Sequence, residues 1–328
     1  MFRAIGNHAM RLRDLHQLPR IRDRFSYLYV EHARVDQEAK AIAVHDASGR
    51  TSVPCANLSL LMLGPGTRIT HAAVLALADN GCLTVWCGEE GVRCYAGGGG
   101  ITRSAERHLL QARLYARRTT RLQVVRRMYA LRFDEALDKS LTLQQIRGKE
   151  GVRVRDAYAC AARKYNIVWK GRNYDRGNWG GADPVNRALS TANTCLYGIC
   201  HAAIIAAGYA TALGFIHTGK QLSFVYDVAD FYKMEIAVPI AFELVASGTT
   251  KLDQAVRHAC RDAFRKEKIL QRIVKDMDTV LQVNPEPDDD DDYDTDPALP
   301  GGLWDPEHGY VQGGIQHDEG PNHDDLDS

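Results

Sequence analysis

The sequence predicts an α+β protein: a β-rich N-terminal domain, a larger all-α C-terminal domain and a disordered acidic tail. Three observations predict it. Short runs of β-branched and aromatic residues crowd residues 25–96. From about residue 102 to 282 the apolar spacing turns helical. From Asn284 onward the chain carries 15 acidic residues and no Lys or Arg.

Residues 1–24 form a basic leader with Arg3, Arg11 and Arg13, and hold no apolar stretch of signal-peptide length. The β-rich domain spans 25–100. Its strands are expected at FSYLYVEHA (25–33), KAIAVHD (40–46), LSLLML (58–63), LTVWC (83–87) and VRCYA (92–96). Ser48-Gly49 and Gly64-Pro65-Gly66 supply turns between them, and THAAVLALAD (70–79) reads as one short helix. Gly97–Gly100 reads as a flexible break and the domain boundary. The helical domain, 101–283, is expected to hold helices at about 103–133, 141–147, 150–165, 184–208, 221–246, 251–266 and 268–282. Asp183-Pro184 is a helix start with proline in the first turn. Pro239 is expected to kink the long helix at 221–246. Lys170–Asp183 is a polar, Gly-rich loop. The tail, 284–328, has too little apolar surface to offset the entropy of ordering.

The formal net charge of zero conceals a split. Outside the tail, 41 basic residues face 26 acidic ones, a net charge of about +15 with His neutral. A body that basic fits a polyanionic partner, most simply nucleic acid. The eight cysteines show no CxxC spacing and no companion histidines at zinc-site intervals, which excludes zinc ribbons. Most lie in apolar runs, as buried thiols in a reducing cytoplasm do. No apolar run approaches the length of a membrane span, so a cytoplasmic protein is expected.

The most telling segment is Gly214–Asp230, GFIHTGKQLSFVYDVAD. It places His217 before a Thr218-Gly219 turn, and Asp227 and Asp230 three residues apart on one helix face. The two acids lie among Phe224, Val225, Tyr226, Val228 and Phe231, and buried charges need partners or metals. Another carboxylate is needed for firm ion binding, and Glu150 is the candidate. Flanked by Arg147 and Arg153 at an expected helix start, Glu150 also fits a salt-bridged or dipole-stabilising residue. Imidazole with carboxylates suits Mg²⁺ or Mn²⁺ better than zinc.

Residues 103–132 hold nine arginines, Arg107, Arg121, Arg127 and Arg132 among them, against the single acid Glu106. Arginine forks match phosphate geometry, although a dimer interface paired with acids fits part of the run. Arg68, Arg93, Lys220, Lys233, Arg257, Arg261 and Arg265 are further basic positions, and Tyr174 and Trp179 are placed to stack on exposed bases or to pin their loop. The GxxxxGK[ST] and GxGxxG phosphate loops are absent from the sequence.

The segments LGPGTRITHAAV, WCGEEGVRCYA, IRGKEGVRVR, GRNYD, TCLYGICHAAIIAAGYATALGFIHTGKQLSFVYDVADFYK and VRHACRDAFR together resemble the CRISPR adaptation integrases, the Cas1 family, most closely its type I-E branch. The resemblance covers roughly residues 20–282. It implies that Glu150, His217 and Asp230 bind the metal and that Asp227 supports them. It implies that Lys220 and Tyr174 recognise the end of a short DNA segment, the prespacer. Arg68, Arg93, Arg257 and Arg261 match DNA-contacting positions, with Arg147 and Tyr197 near the site. It further implies a homodimer, a Cas2 partner and insertion of prespacers into a CRISPR repeat, with double-stranded DNA as substrate. The tail departs from the Pro-rich tail common in that family. Two other functions fit the same residues: a metal nuclease acting on branched or single-stranded nucleic acid, and a noncatalytic DNA-binding scaffold.

Overall fold

The computed structural model describes residues 27–39, 41–89, 93–100, 105–133, 137–138, 140–172, 183–283, 303–305 and 309–311. The basic leader, Tyr174 and Trp179 lie outside them. Two mixed sheets make up the N-terminal part. The first has the order β1 (Tyr27–Val30), β5 (Leu60–Leu63), β7 (Leu83–Cys87), β8 (Cys94–Gly98), with parallel pairing except for the antiparallel β7–β8. The second has the order β4 (Gly49–Pro54), β3 (Ala41–Asp46), β2 (Arg34–Glu38), β6 (Arg68–Ile69). Helix α1, His71–Asp79, is capped by the Thr70 hydroxyl, which accepts from the Ala73 N–H at 3.3 Å.

Strand β5 shows why the expected apolar run is continuous. Side chains alternate across a strand. Leu60 and Met62 enter the core shared with the C-terminal helices, while Leu61 and Leu63 enter the core shared with the second sheet and α1. The strand is buried on both faces.

The C-terminal part is helical: α2 (Glu106–Ala116), α3 (Arg118–Ala130), α4 (Leu143–Lys164), α5 (Pro184–Ala206), α6 (Ser223–Ala229), α7 (Val238–Ala246), α8 (Leu252–Lys266) and α9 (Ile269–Leu281). Several expected boundaries move. The helix expected over 103–133 breaks at Arg117, whose backbone is extended (φ −101°, ψ 128°). The helices expected at 141–147 and 150–165 are one, started by a capping box between Thr142 and Gln145. The long helix expected over 221–246 is interrupted after Asp230 and resumes through a π-helical turn, Lys233–Ala237. Pro239 therefore sits harmlessly in the first turn of α7, and the break lies ahead of it.

Helix α5 is the centre of the helical core; Asp183 caps it, accepting from the Asn186 N–H at 3.0 Å. At 23 residues it is long and apolar enough to cross a membrane, which corrects the reading from the sequence, but 72% of its apolar window is buried inside the fold. Gly97 and Gly98 do not form a flexible break. They extend β8, paired with Val85 and Thr84. A Cβ on Gly97 would stand 2.9 Å from the Ile205 side chain of α5 and 3.1 Å from that of Val85. Glycine there admits close approach of strand and helix.

By its internal contacts the chain divides into two units, one ending at Val283 and one starting at Asn284. Within the second, β9 (Leu303–Asp305) pairs antiparallel with β10 (Gly309–Val311), where no strand is expected from the sequence; the rest of the tail lies outside the described residues.

Candidate functional site

The segment between α5 and α6 carries His217. Its path depends on Gly214, where a Cβ would lie 2.4 Å from the His217 carbonyl oxygen and 2.6 Å from the Ser223 carbonyl carbon. Only glycine fits that approach. The segment is then tied to α6 by one buried carboxylate. Asp227, fully buried, accepts from the backbone N–H groups of Phe215 (2.5 Å), Ile216 (3.0 Å) and His217 (2.8 Å). The same carboxylate holds His217 Nδ1 at 2.7 Å. With Nδ1 so engaged, Nε2 is the ring nitrogen left for a ligand or proton, and a carboxylate behind a histidine is the usual way to fix a metal-binding ring. Arg121 braces the segment from α3 through two bonds to the Phe215 carbonyl, at 3.2 and 3.0 Å.

His217, Glu150 and Asp230 line one cavity of about 330 Å³. Asp230 is the residue at the end of α6, and Glu150 lies two turns into α4. The expected position of Glu150 at a helix start is therefore corrected. Its partners are arginines rather than a helix dipole: Arg153 grips it at 2.8 and 3.0 Å, and Arg132 Nη1 lies at 3.5 Å. Asp230 receives Lys233 Nζ at 2.6 Å and Arg132 Nη1 at 3.5 Å. Lys233 also lies 5.0 Å from the centre of the Tyr197 ring. Burial alone would lower the Lys233 pKa, but the Asp230 carboxylate and Tyr197 outweigh it and hold the ammonium above its ordinary range.

The donor set fits a divalent ion by its chemistry: one imidazole with a fixed ring and two carboxylates on a shared cavity. As placed, no three His, Cys, Asp or Glu side chains among the described residues come together closely enough to hold an ion. The carboxylates are instead neutralised by Arg132, Arg153 and Lys233.

Sequence reasoning thus named Glu150, His217, Asp230, Asp227 and Lys233, which the structure brings together, with Tyr197 beside them. It missed Arg132 and Arg153 as site residues. Arg147 is exposed one turn before Glu150 on α4, and Lys220 is exposed three residues after His217. Arg68 and Arg93 are exposed and do not line this cavity; Arg257 faces Glu89 at 3.6 Å, and Arg261 lines a second cavity of about 370 Å³ with Arg265. The arginine-rich stretch is only partly available to a phosphate backbone. Arg107 is bonded to Asp278 at 2.8 Å, Arg127 to the Val280 carbonyl at 2.6 Å, and Arg121 and Arg132 are engaged as described. Arg113, Arg117 and Arg118 remain exposed. A run of arginines looks the same in sequence whether its guanidiniums bind solvent, phosphate or carbonyl groups.

A strand-rich N-terminal part joined to a helical part, with a Glu–His–Asp cavity in the latter, defines an α+β protein with a charged, cation-lined site. The family model for CRISPR associated protein Cas1 matches residues 130–278, the segment that contains Glu150, His217 and Asp230. The CRISPR-associated endonuclease Cas1 2 of Thermus thermophilus is 52% identical over 305 residues, 93% of this chain and 94% of that protein. The CRISPR-associated endonuclease Cas1 of Geobacter sulfurreducens is 52% identical over 262 residues, 80% of this chain and 86% of its own length. The crystal structure of a TtCas1–DNA complex superposes with a TM-score of 0.76 at 52% identity, covering 81% of this chain and 100% of that one. The chain belongs to the Cas1 family.

Proposed function

We propose that the chain is a metal-dependent DNA integrase of CRISPR adaptation. On this reading a prespacer 3′-hydroxyl attacks a phosphodiester of the CRISPR repeat. One P–O bond forms as another breaks, the leaving strand keeps its 3′ oxygen, and no energy-supplying cofactor is consumed. The observation that carries the reading is the convergence of Glu150, His217 and Asp230 on one cavity in a chain of this family.

Glu150, His217 Nε2 and Asp230 would hold Mg²⁺ or Mn²⁺, which when bound polarises a phosphoryl oxygen and lowers the pKa of the attacking hydroxyl. The chain's own residues do the rest. Asp227 fixes the His217 ring. Lys233 and Arg153 set positive charge where the phosphoryl oxygens gain negative charge in the transition state. Orientation of the two DNA ends supplies much of the remaining rate. Exposed Arg68, Arg93, Arg147 and Lys220 contribute phosphate contacts, as do Arg257 and Arg261 on α8, and the similar TtCas1–DNA complex supports DNA binding. A homodimer, a Cas2 partner and a cytoplasmic setting belong to the same reading.

His217→Ala is expected to abolish strand joining on a repeat-containing plasmid while leaving duplex DNA affinity within about twofold. Full joining by that variant with Mn²⁺ would refute the assignment. Products that are cut and never joined would favour a nuclease, and an absence of Asp230-dependent Mn²⁺ binding in calorimetry would favour a scaffold.

A further inference from the structure

Resting on that reading, the structure points to a role for Arg132 that the sequence does not separate from its eight neighbours in the arginine run. Its side chain is 3% exposed. Nη1 stands 3.5 Å from Glu150 Oε1 and 3.5 Å from Asp230 Oδ2, so one nitrogen is shared evenly by the two carboxylates of the site. Nη2 donates to the Asp227 carbonyl at 3.3 Å. The guanidinium carbon lies 5.1 Å from the centre of the Tyr129 ring and 5.6 Å from that of Phe231. Nε is buried without a hydrogen-bond partner.

These contacts differ in kind from those of the other cations. Arg153 and Lys233 each hold one carboxylate at 2.6–3.0 Å and are more exposed, at 27% and 20%. Each lies over a single ring, Arg153 over Phe133 at 5.7 Å and Lys233 over Tyr197 at 5.0 Å. Arg132 is wedged between two rings and bound to the backbone of α6, so it stays. A fixed positive charge between two carboxylates offsets their mutual repulsion in one cavity without an ion. The same charge repels a divalent ion that comes to bind them, and in a poorly hydrated site that repulsion is strong.

We propose that Arg132 is a positioning residue that stands in for the metal in the free protein and makes ion binding depend on DNA. Alone, the cavity has two carboxylates against three cations and has little attraction for a further positive ion. A DNA phosphate entering the cavity restores the negative charge, and Arg153 and Lys233 turn to it. The ion is then held with the nucleic acid. By thermodynamic reciprocity, DNA tightens the ion as much as the ion tightens DNA.

The test is calorimetric titration of Mn²⁺ into the full-length chain at fixed salt, with and without a short DNA duplex. For the unaltered chain we expect at least tenfold tighter Mn²⁺ binding with duplex. For Arg132→Met we expect Mn²⁺ alone to bind at least tenfold more tightly than to the unaltered chain, with little further gain from DNA. Arg132→Lys keeps the charge and is expected to stay within about threefold of the unaltered chain. Equal or weaker Mn²⁺ binding by Arg132→Met, or a Lys variant that behaves like Met, overturns the role of Arg132 and leaves the integrase reading standing. If the unaltered chain binds no Mn²⁺ even with DNA, the metal-dependent reading itself fails. If Arg132→Met does not fold, melting of Arg132→Met/Asp230→Asn in chelator decides. Recovery of a folded chain supports charge neutralisation as the role, and a chain that still fails to fold assigns Arg132 to packing and overturns the proposal.

Discussion

Asp227 shows how one side chain can govern a site it does not face. Its carboxylate collects three backbone N–H groups and the His217 ring. Bonds to a buried charge are the strong ones, and losing them strands several donors at once. Asp227→Ala is therefore expected to cost about 3 kcal/mol of stability and to release the His217 ring, abolishing strand joining; urea unfolding and the plasmid assay check the two outcomes. At this scale the sequence was informative where residue type limits chemistry. The apolar neighbours of Asp227 and Asp230 pointed to buried acids that need a partner, while a histidine before a turn is more often structural and Glu150 was marked by the family resemblance. Arg132 was not legible. Its burial is made by Tyr129 and Phe231, about a hundred positions apart, and only the fold brings them together. Lys233 was named for DNA, and its contact with Asp230 shows that the same charge also sits within the cavity.

The elements were legible where local chemistry decides them. Asp183 caps the helix that the pattern placed after it, and Thr70, where the pattern began the short helix, is the cap of α1. Burial works to raise the Asp183 pKa, but bonds from the Asn186 side chain and backbone overcome it, so the folded value is lowered. A lowered carboxyl pKa stabilises above the unfolded value and ceases to do so as pH falls through the folded one. Asp183→Ala is expected to cost about 1 kcal/mol at pH 7. In urea unfolding, that difference should hold down to roughly pH 4 and shrink below it. Elements set by distant partners were missed. Strand β2 buries only Val35 fully, and the edge strand β4 is almost wholly exposed, so neither carries an apolar run. The break at Arg117 falls at a residue with good helix propensity. The π turn at Lys233–Ala237 follows no local signal; such turns often mark functional sites, and this one begins three residues after Asp230.

For the molecule as a whole, the charge split has a measurable consequence. The acidic residues of the tail offset a net charge of about +15 on the remainder of the chain. Phosphate contacts dominate sequence-independent DNA affinity and its salt dependence. Removing residues 284–328 is expected to tighten binding to random duplex by about tenfold or more at low salt, with a steeper salt dependence. Unchanged affinity in a filter-binding or anisotropy titration would show that the tail does not screen the body. The sequence reading drew a boundary near residue 100, at the point where apolar periodicity changes. Packing ignores that point, because Leu60, Met62, Leu83 and Val85 lie in the same core as α5 and its neighbours. Severed at residue 100, either fragment would present a bare greasy face to water and clump, and the two would regain solubility when made side by side.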